Sequence, residues 1–328
     1  MSGLAFTLAI VRPVLDRSGS GFLKELRANF RQTDLTAAVG RHDTAPIFDW
    51  LMSLFQLQGI SDRVAFAYAA EHGNARWANV AAALAGHPAC RLLHSYWTFS
   101  GCGYRKTART CARPEHLRRC PVPDLPLRNG RLNQLAFSLF LFIRDVCGGD
   151  LIGWIDNRLA VADRPGEQDR ATRMRQAVLE PLTNVHGVSN KVLSMALADL
   201  LLAADPDRER WVTTGASMVA IDTLVHNFFY RTGILSRCSA EHRYGDACYG
   251  PASCASIIQE MAQQIDARAY DPTYPTCFPR FVQQAIWRFC AQDQLNICNG
   301  NRINDDHRCQ NRRCTLFKTC ARISLRGS

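Results

Sequence analysis

The stretch that most constrains the fold runs from Pro181 to Leu202 and has the pattern of two helices joined by a tight hairpin. Proline suits the first turn of a helix, because its missing N–H would have no partner there, and Gly187 permits a sharp reversal of the backbone. We therefore predict one helical turn over Pro181–Val185, followed by a hairpin and a second helix.

The second helix is predicted to be buried, because between Val192 and Leu202 only Ser194 and Asp199 are clearly polar. Ser189 or Asn190 can cap its N-terminus. A helix N-terminus carries unpaired N–H groups and the positive end of a dipole, which suits a phosphate of any nucleotide sequence. The hairpin is therefore predicted to contact a nucleic-acid backbone.

Two segments resemble a known family of DNA repair enzymes. Residues 182–191, Leu-Thr-Asn-Val-His-Gly-Val-Ser-Asn-Lys, resemble the helix-hairpin-helix of the endonuclease III branch of DNA glycosylases, commonly Leu-Pro-Gly-Val-Gly-x-Lys-Thr-Ala. Residues 220–225, Ala-Ile-Asp-Thr-Leu-Val, resemble its Val-Asp-Thr-His-Val segment. The resemblance implies that Lys191 attacks the sugar and that Asp222 assists. It also implies that the hairpin residues bind DNA: His186, Gly187, Val188, Ser189 and Asn190. The backbone groups of Gly187, Val188 and Ser189 are expected to hold a phosphate.

The two segments depart from the family pattern at several positions. The replacements are His186 for Pro, Ser189 for the second Gly, Val192-Leu193 for Thr-Ala, and Leu224 where the family often has His. Lys191 and Asp222 are 31 positions apart, which leaves room for an insertion over Ala204–Gly215. Their proximity is implied by the resemblance alone.

The composition is that of a basic, cysteine-rich protein. The net charge of +10, from 39 Lys and Arg against 29 Asp and Glu, favours a polyanionic partner. Without a segment of 18 apolar residues or a secretion signal, we predict a soluble, cytoplasmic monomer that does not enter membranes. Its 14 cysteines are therefore expected to be thiols or metal ligands instead of disulfides.

A basic segment with three regularly spaced cysteines occupies residues 94–131. Eight residues separate Cys102 from Cys111, and eight separate Cys111 from Cys120. Such gaps match no standard zinc pattern. A metal on these cysteines, with Cys90 or Cys147 as a fourth ligand, is kept as an alternative. The segment itself is either a nucleic-acid contact surface or a solvated loop. As a nucleic-acid surface, the segment offers three aromatic side chains for stacking on bases, Tyr96, Trp97 and Tyr104.

Four cysteines close the chain within 23 residues, with gaps of ten, four and five: Cys298, Cys309, Cys314 and Cys320. Four thiolates this close can surround one metal centre at little cost in loop closure. The arrangement resembles the [4Fe-4S] loop of the endonuclease III family, whose usual gaps are six, two and five. The resemblance implies a [4Fe-4S] cluster, with zinc on the four cysteines as the alternative and Cys290 as a substitute ligand.

Together these features predict an all-α, two-lobed fold like that of the helix-hairpin-helix DNA glycosylases, with a cysteine-rich C-terminal metal loop. The first three predicted segments are a helical N-terminal region at 1–93, the basic loop at 94–131 and the helix-hairpin-helix domain at 132–217. The last segment, at 218–328, contains the Asp222 helix, an insertion at 236–277 and the cluster loop.

The predicted function is that of a base-excision repair enzyme, a DNA glycosylase with AP lyase activity, acting on damaged or mispaired double-stranded DNA. Two alternatives remain open at this point. One is a non-catalytic binder of abnormal DNA or RNA with the same fold, and the other is a cysteine-rich metal-binding interaction protein.

Overall fold

The computed structural model describes residues 2–19, 21–60, 62–86, 90–113, 120–125 and 127–326. Helices make up 57% of the chain. Within the described ranges the strands are Tyr104–Arg105 and Thr110–Cys111, which pair antiparallel. The predicted all-α class is therefore confirmed.

The chain folds into two compact units. We call residues 29–211 the hairpin unit, and residues 1–28 together with 212–328 the cysteine unit. The chain passes from one unit to the other within the helices Phe22–Gln32 and Glu209–Ser217. Most residues of the predicted segments 1–93, 94–131 and 132–217 therefore lie in the hairpin unit.

The hairpin unit is built around a buried helix, Asn133–Asp145, in which every residue from Asn133 to Ile143 is buried. The helix Asn190–Ala203 is also largely buried, as its apolar sequence predicts, and it packs against Thr44–Phe55. The other helices in the described part of this unit are Leu35–Gly40, Asp62–His72, Trp77–Ala85, Tyr96–Phe99, Leu151–Ala162 and Arg170–Leu182, with 3₁₀ turns at Arg91–Leu93 and Val122–Asp124.

Pro181 does not begin a helix, contrary to the prediction, but lies in the last turn of Arg170–Leu182. A proline in this position leaves the carbonyl four residues earlier without its usual N–H donor. Here that carbonyl belongs to Ala177, and it accepts a hydrogen bond from Arg158 Nε at 3.0 Å. A side chain from the neighbouring helix thus replaces the missing donor, which the local sequence could not reveal.

The cysteine unit is assembled around the helix Pro279–Cys290. Gly3–Ser18, Thr223–Thr232 and Cys254–Ala262 all pack against it. The hydroxyl of Ser18 joins the first of these to the central helix by donating to the Ala285 carbonyl at 2.9 Å. The other short elements are Ile234–Arg237 and the 3₁₀ turns Asp246–Tyr249 and Ala267–Ala269.

Candidate functional site

The predicted hairpin lies between Arg170–Leu182 and Asn190–Ala203, and one glutamine holds it from inside the unit. Gln58 accepts a hydrogen bond from the Ser189 N–H at 3.1 Å and donates to the Gly187 carbonyl at 3.0 Å. Gly187 has a φ of +83°, a left-handed conformation in which a side chain would be strained. The reversal is therefore fixed both by its glycine and by a side chain 131 positions away in sequence.

The outer side of the hairpin is open to solvent. His186, Gly187, Ser189 and Asn190 are exposed, and Val188 is half-buried. Ser189 is the N-cap residue, yet its side chain accepts no hydrogen bond from the helix. The first-turn N–H groups are thus not capped by this serine. The N–H of Ser189, which was predicted to hold a phosphate, instead donates to Gln58.

Lys191 and Asp222 each begin a helix, and each belongs to a different unit. Lys191 is half-buried in the first turn of Asn190–Ala203. Asp222 is the N-cap of Thr223–Thr232, and its Oδ1 accepts from the Val225 N–H at 2.9 Å. Their cooperation at one sugar stays a prediction.

An open pocket of about 500 Å³ lies beside the hairpin. It is lined by residues 104–108 of the basic segment together with Gln134 and His186. Arg105 and Lys106 are exposed there. Partial burial, with a contribution from the Lys106 charge, lowers the pKa of His186. The basic segment and the hairpin thus share one electropositive surface.

Of the three aromatic side chains predicted to stack on bases, only that of Trp97 is largely exposed to solvent. It is 67% exposed. Tyr104 is buried, and Tyr96 is half-buried with its backbone N–H bonded to the Asp145 carboxylate. Residues 114–119 and 126 of the predicted basic loop lie outside the described residues.

The four predicted C-terminal ligands Cys298, Cys309, Cys314 and Cys320 line a single cavity. Arg231 also lines it and is only 1% exposed. Its guanidinium pairs with Asp305 through one nitrogen, whereas Nε and Nη1 have no hydrogen-bond partner. Such buried, unpaired donors are costly unless an anion lies beside them. The lining therefore suits an anionic group held by thiolates.

Among the described residues, the one group of His, Cys, Asp and Glu side chains whose ligand atoms lie within 4.8 Å of one another and that could hold a metal ion is elsewhere in the unit. A [4Fe-4S] cluster on the four C-terminal cysteines, with zinc as the alternative, stays a prediction.

Cys290 does not line this cavity as far as the described residues show, but lies behind Cys298. Complete burial raises the pKa of Cys290 well above its ordinary value. Its hydrogen bond to the neighbouring sulfur lowers the pKa of Cys298. Cys290 is therefore placed beside one of the four predicted ligands, and its role as a substitute ligand stays a prediction.

The compact group within 4.8 Å consists of His226, His242, Cys248 and Cys254, a set that could hold a metal ion. The Nδ1 atom of His226 lies 3.5 Å from both the Cys248 and the Cys254 sulfur, and His242 Nε2 lies 3.5 Å from the Cys254 sulfur. Three of the residues are buried and His242 is half-buried. A hydrogen bond from Cys254 lowers the pKa of Cys248 below its ordinary value.

Sequence reasoning missed this Cys/His group, although both cysteines lie in the predicted insertion at 236–277. Its members come from a helix, a loop, a 3₁₀ turn and a second helix. The available signal was a gap of five residues between His242 and Cys248, repeated between Cys248 and Cys254. His226, which fifteen residues separate from the next ligand, gives no local signal.

In the hairpin unit, burial is the main cause that raises the pKa of Cys120 to about 11. The thiols of Cys90, Cys102 and Cys111 lie close enough to Cys120 to contribute to this increase. The N–H of Arg113 bonds to the Cys111 sulfur at 3.3 Å. Cys147 is not part of this interaction as described. A metal on these cysteines stays a prediction, with Cys90 as the nearer of the two proposed fourth ligands.

None of the helices in the described part of the chain combines the length and apolar character needed to cross a membrane. Neither a protein-family model, nor a curated protein sequence, nor a solved structure matches this chain.

Proposed function

We propose that the protein is a helix-hairpin-helix DNA-binding enzyme of the glycosylase and AP lyase type, acting on damaged or mispaired duplex DNA. The observation that carries the proposal is the hairpin itself. Gln58 fixes its reversal, and it presents the uncapped N-terminus of a 14-residue helix to solvent, with Lys191 in the first turn. An open helix N-terminus is suited to a DNA phosphate.

The charge around the hairpin supports a DNA partner. Arg105 and Lys106 line the pocket that His186 shares, and the chain carries a net charge of +10. Phosphate contacts by such side chains provide most of the sequence-independent affinity for DNA. Trp97 is exposed on the short helix Tyr96–Phe99 and offers an aromatic face for an unstacked base.

The proposed reaction uses the amine of Lys191 as a nucleophile. The target nucleotide is flipped out of the stack, and the amine attacks the anomeric carbon of its sugar. The bond from that carbon to the base breaks, and the base leaves with the bonding electrons. The Asp222 carboxylate stabilises the positive charge that develops on the sugar. Loss of the amine proton and ring opening then give a Schiff base between lysine and sugar.

The proposed cofactor is a [4Fe-4S] cluster on Cys298, Cys309, Cys314 and Cys320, with Arg231 as a buried counter-charge. Bound there, the cluster supplies cross-linking of the C-terminal loop and takes no part in the reaction. The chain contributes basic residues among these cysteines that can contact phosphates: Arg302, Arg308, Arg312, Arg313 and Lys318.

Borohydride trapping tests the enzymatic part of the proposal. Borohydride reduces a Schiff base to a stable amine, so the full-length protein is expected to form a covalent adduct with duplex DNA that contains an abasic site. Lys191→Ala should form no adduct, whereas Lys106→Ala should still form one. An adduct of unchanged yield in the Lys191 variant would disprove the assigned nucleophile. Salt-dependent DNA binding without any adduct would instead indicate a non-catalytic binder.

We expect the basic pocket to contribute to the salt dependence of DNA binding. If Arg105 and Lys106 each neutralise one phosphate, their joint replacement by alanine reduces the slope of log affinity against log salt by about 1.8. Fluorescence anisotropy with a labelled duplex over a salt series measures this slope. The exposed Arg63, in the same unit, provides the matched control. An equal loss of slope in Arg63→Ala would show that the pocket has no special role.

A further inference from the structure

We propose that His226, His242, Cys248 and Cys254 bind one structural zinc ion, and that this ion fastens the segment 238–254 over the start of the helix that carries Asp222. The site is separate from the predicted C-terminal cluster. It is carried by four ligand atoms that lie within 4.8 Å of one another.

The distances fit a tetrahedral ion. With Zn–S bonds of about 2.3 Å, Zn–N bonds of about 2.0–2.1 Å and tetrahedral angles, a sulfur and a nitrogen on the same zinc lie about 3.6 Å apart. Three of the four S···N distances in the group are 3.5 Å. One ion therefore fits these three ligand pairs as they stand.

The ligand chemistry selects zinc and a structural role. Two imidazoles and two thiolates in a tetrahedral arrangement are typical of zinc, and four protein ligands leave no open position for a substrate. Cys248 and Cys254 are fully buried, and His226 is 6% exposed. A hydroxide or a substrate therefore has no vacant coordination position at this site.

One histidine is already oriented as a ligand. Nδ1 of His242 lies 2.6 Å from the carbonyl of Ala240, which assigns the ring proton to Nδ1 because a carbonyl can only accept. In the neutral imidazole, Nε2 then carries the free lone pair, and it is turned toward Cys254. A metal-bound histidine usually donates its other ring N–H to a carbonyl, a carboxylate or water in this way.

The ion connects the segment to the residues beside Asp222. Tyr249, next to the ligand Cys248, accepts a hydrogen bond from the Ile221 N–H at 2.9 Å through its hydroxyl. The hydroxyl of Tyr244 lies near the side chain of Thr223. Two tyrosines of the zinc-held segment thus contact the residues on either side of Asp222. Residues 238–253 contain a single short 3₁₀ turn, so the ion would add a cross-link to a segment with little regular secondary structure.

The metal content of the full-length protein tests the proposal directly. After purification without added metal or chelator, mass spectrometry of the dissolved metals should find zinc in wild-type protein and one zinc atom fewer per chain in Cys248→Ser. Iron should be unchanged, which distinguishes this site from the C-terminal cysteines. Cobalt exchanged into the wild-type site should give the visible absorption of a tetrahedral thiolate complex. Cleavage by trypsin at Arg243 should be at least about tenfold faster in the variant, because the segment opens more often.

Cys277→Ser is the matched control, because Cys277 is exposed in the same unit and lies outside the ligand group. It should keep the full zinc content and the wild-type cleavage rate. His242→Gln, at the half-buried ligand, provides a second variant if Cys248→Ser does not fold. The proposal is overturned if wild-type protein contains no zinc, or if both ligand variants fold and retain it. Neither result depends on DNA binding, so the proposed enzymatic function is tested separately.

Discussion

Replacing Cys309 by alanine is expected to remove iron and acid-labile sulfide from the purified protein and to lower its melting temperature. Cys309 is one of four cysteines around a single cavity, so its loss leaves an iron atom without a protein ligand. The segment that carries these cysteines has no helix over residues 291–326. Ligation therefore contributes much of its folding free energy, as it does in small metal-bound domains.

Iron and sulfide analysis and the visible absorption from sulfur to iron measure this effect. Cys277→Ala, at the exposed thiol, should remain brown and fully loaded. A colourless wild-type protein with zinc on these residues would contradict the cluster and support the zinc alternative. Retention of iron in Cys309→Ala together with its loss in Cys290→Ala would transfer the ligand role to Cys290.

Replacing Arg231 by methionine is expected to lower the free energy of unfolding by about 3–5 kcal/mol, the range found when one partner of a buried ion pair is removed. Arg231 is 1% exposed, and its partner Asp305 is left without its cation. Chemical denaturation followed by circular dichroism measures the loss. Iron content should fall as well, because two further guanidinium nitrogens have no other partner than a group in the cavity.

The double variant Arg231→Met with Asp305→Asn separates the two roles of the arginine. If its only role were to pair with Asp305, replacing both partners would restore most of the stability. If it also balances an anionic cluster, the double variant should remain low in iron and unstable. Full recovery of stability with unchanged iron would refute the counter-charge assignment.

The elements that the sequence predicted well are those defined by neighbouring residues. The apolar run after Gly187 predicted a buried helix, which the structure contains, and Ser189 occupies its N-cap position although its side chain makes no capping hydrogen bond. The four C-terminal cysteines lie together because short gaps restrict how far apart they can be. In each case the determining interactions are local.

The features that escaped prediction depend on contacts between distant parts of the chain. Gln58 could not be connected to the hairpin, because its partners are 129 and 131 positions away. His226 joins the Cys/His group only through the packing of a helix against a loop. The direction and reach of these side chains follow from tertiary structure, which periodicity and motif spacing do not contain.

The packing of Gly3–Ser18 against Pro279–Cys290 has a consequence for synthesis on the ribosome. Gly3–Ser18 is synthesised more than 250 residues before its partner. At translation rates of about 5–20 residues per second, the nascent chain waits on the order of tens of seconds with that helix unprotected. Its buried side chains Ile10, Val11 and Val14 would meanwhile be exposed, so we expect chaperones to increase the yield of folded protein.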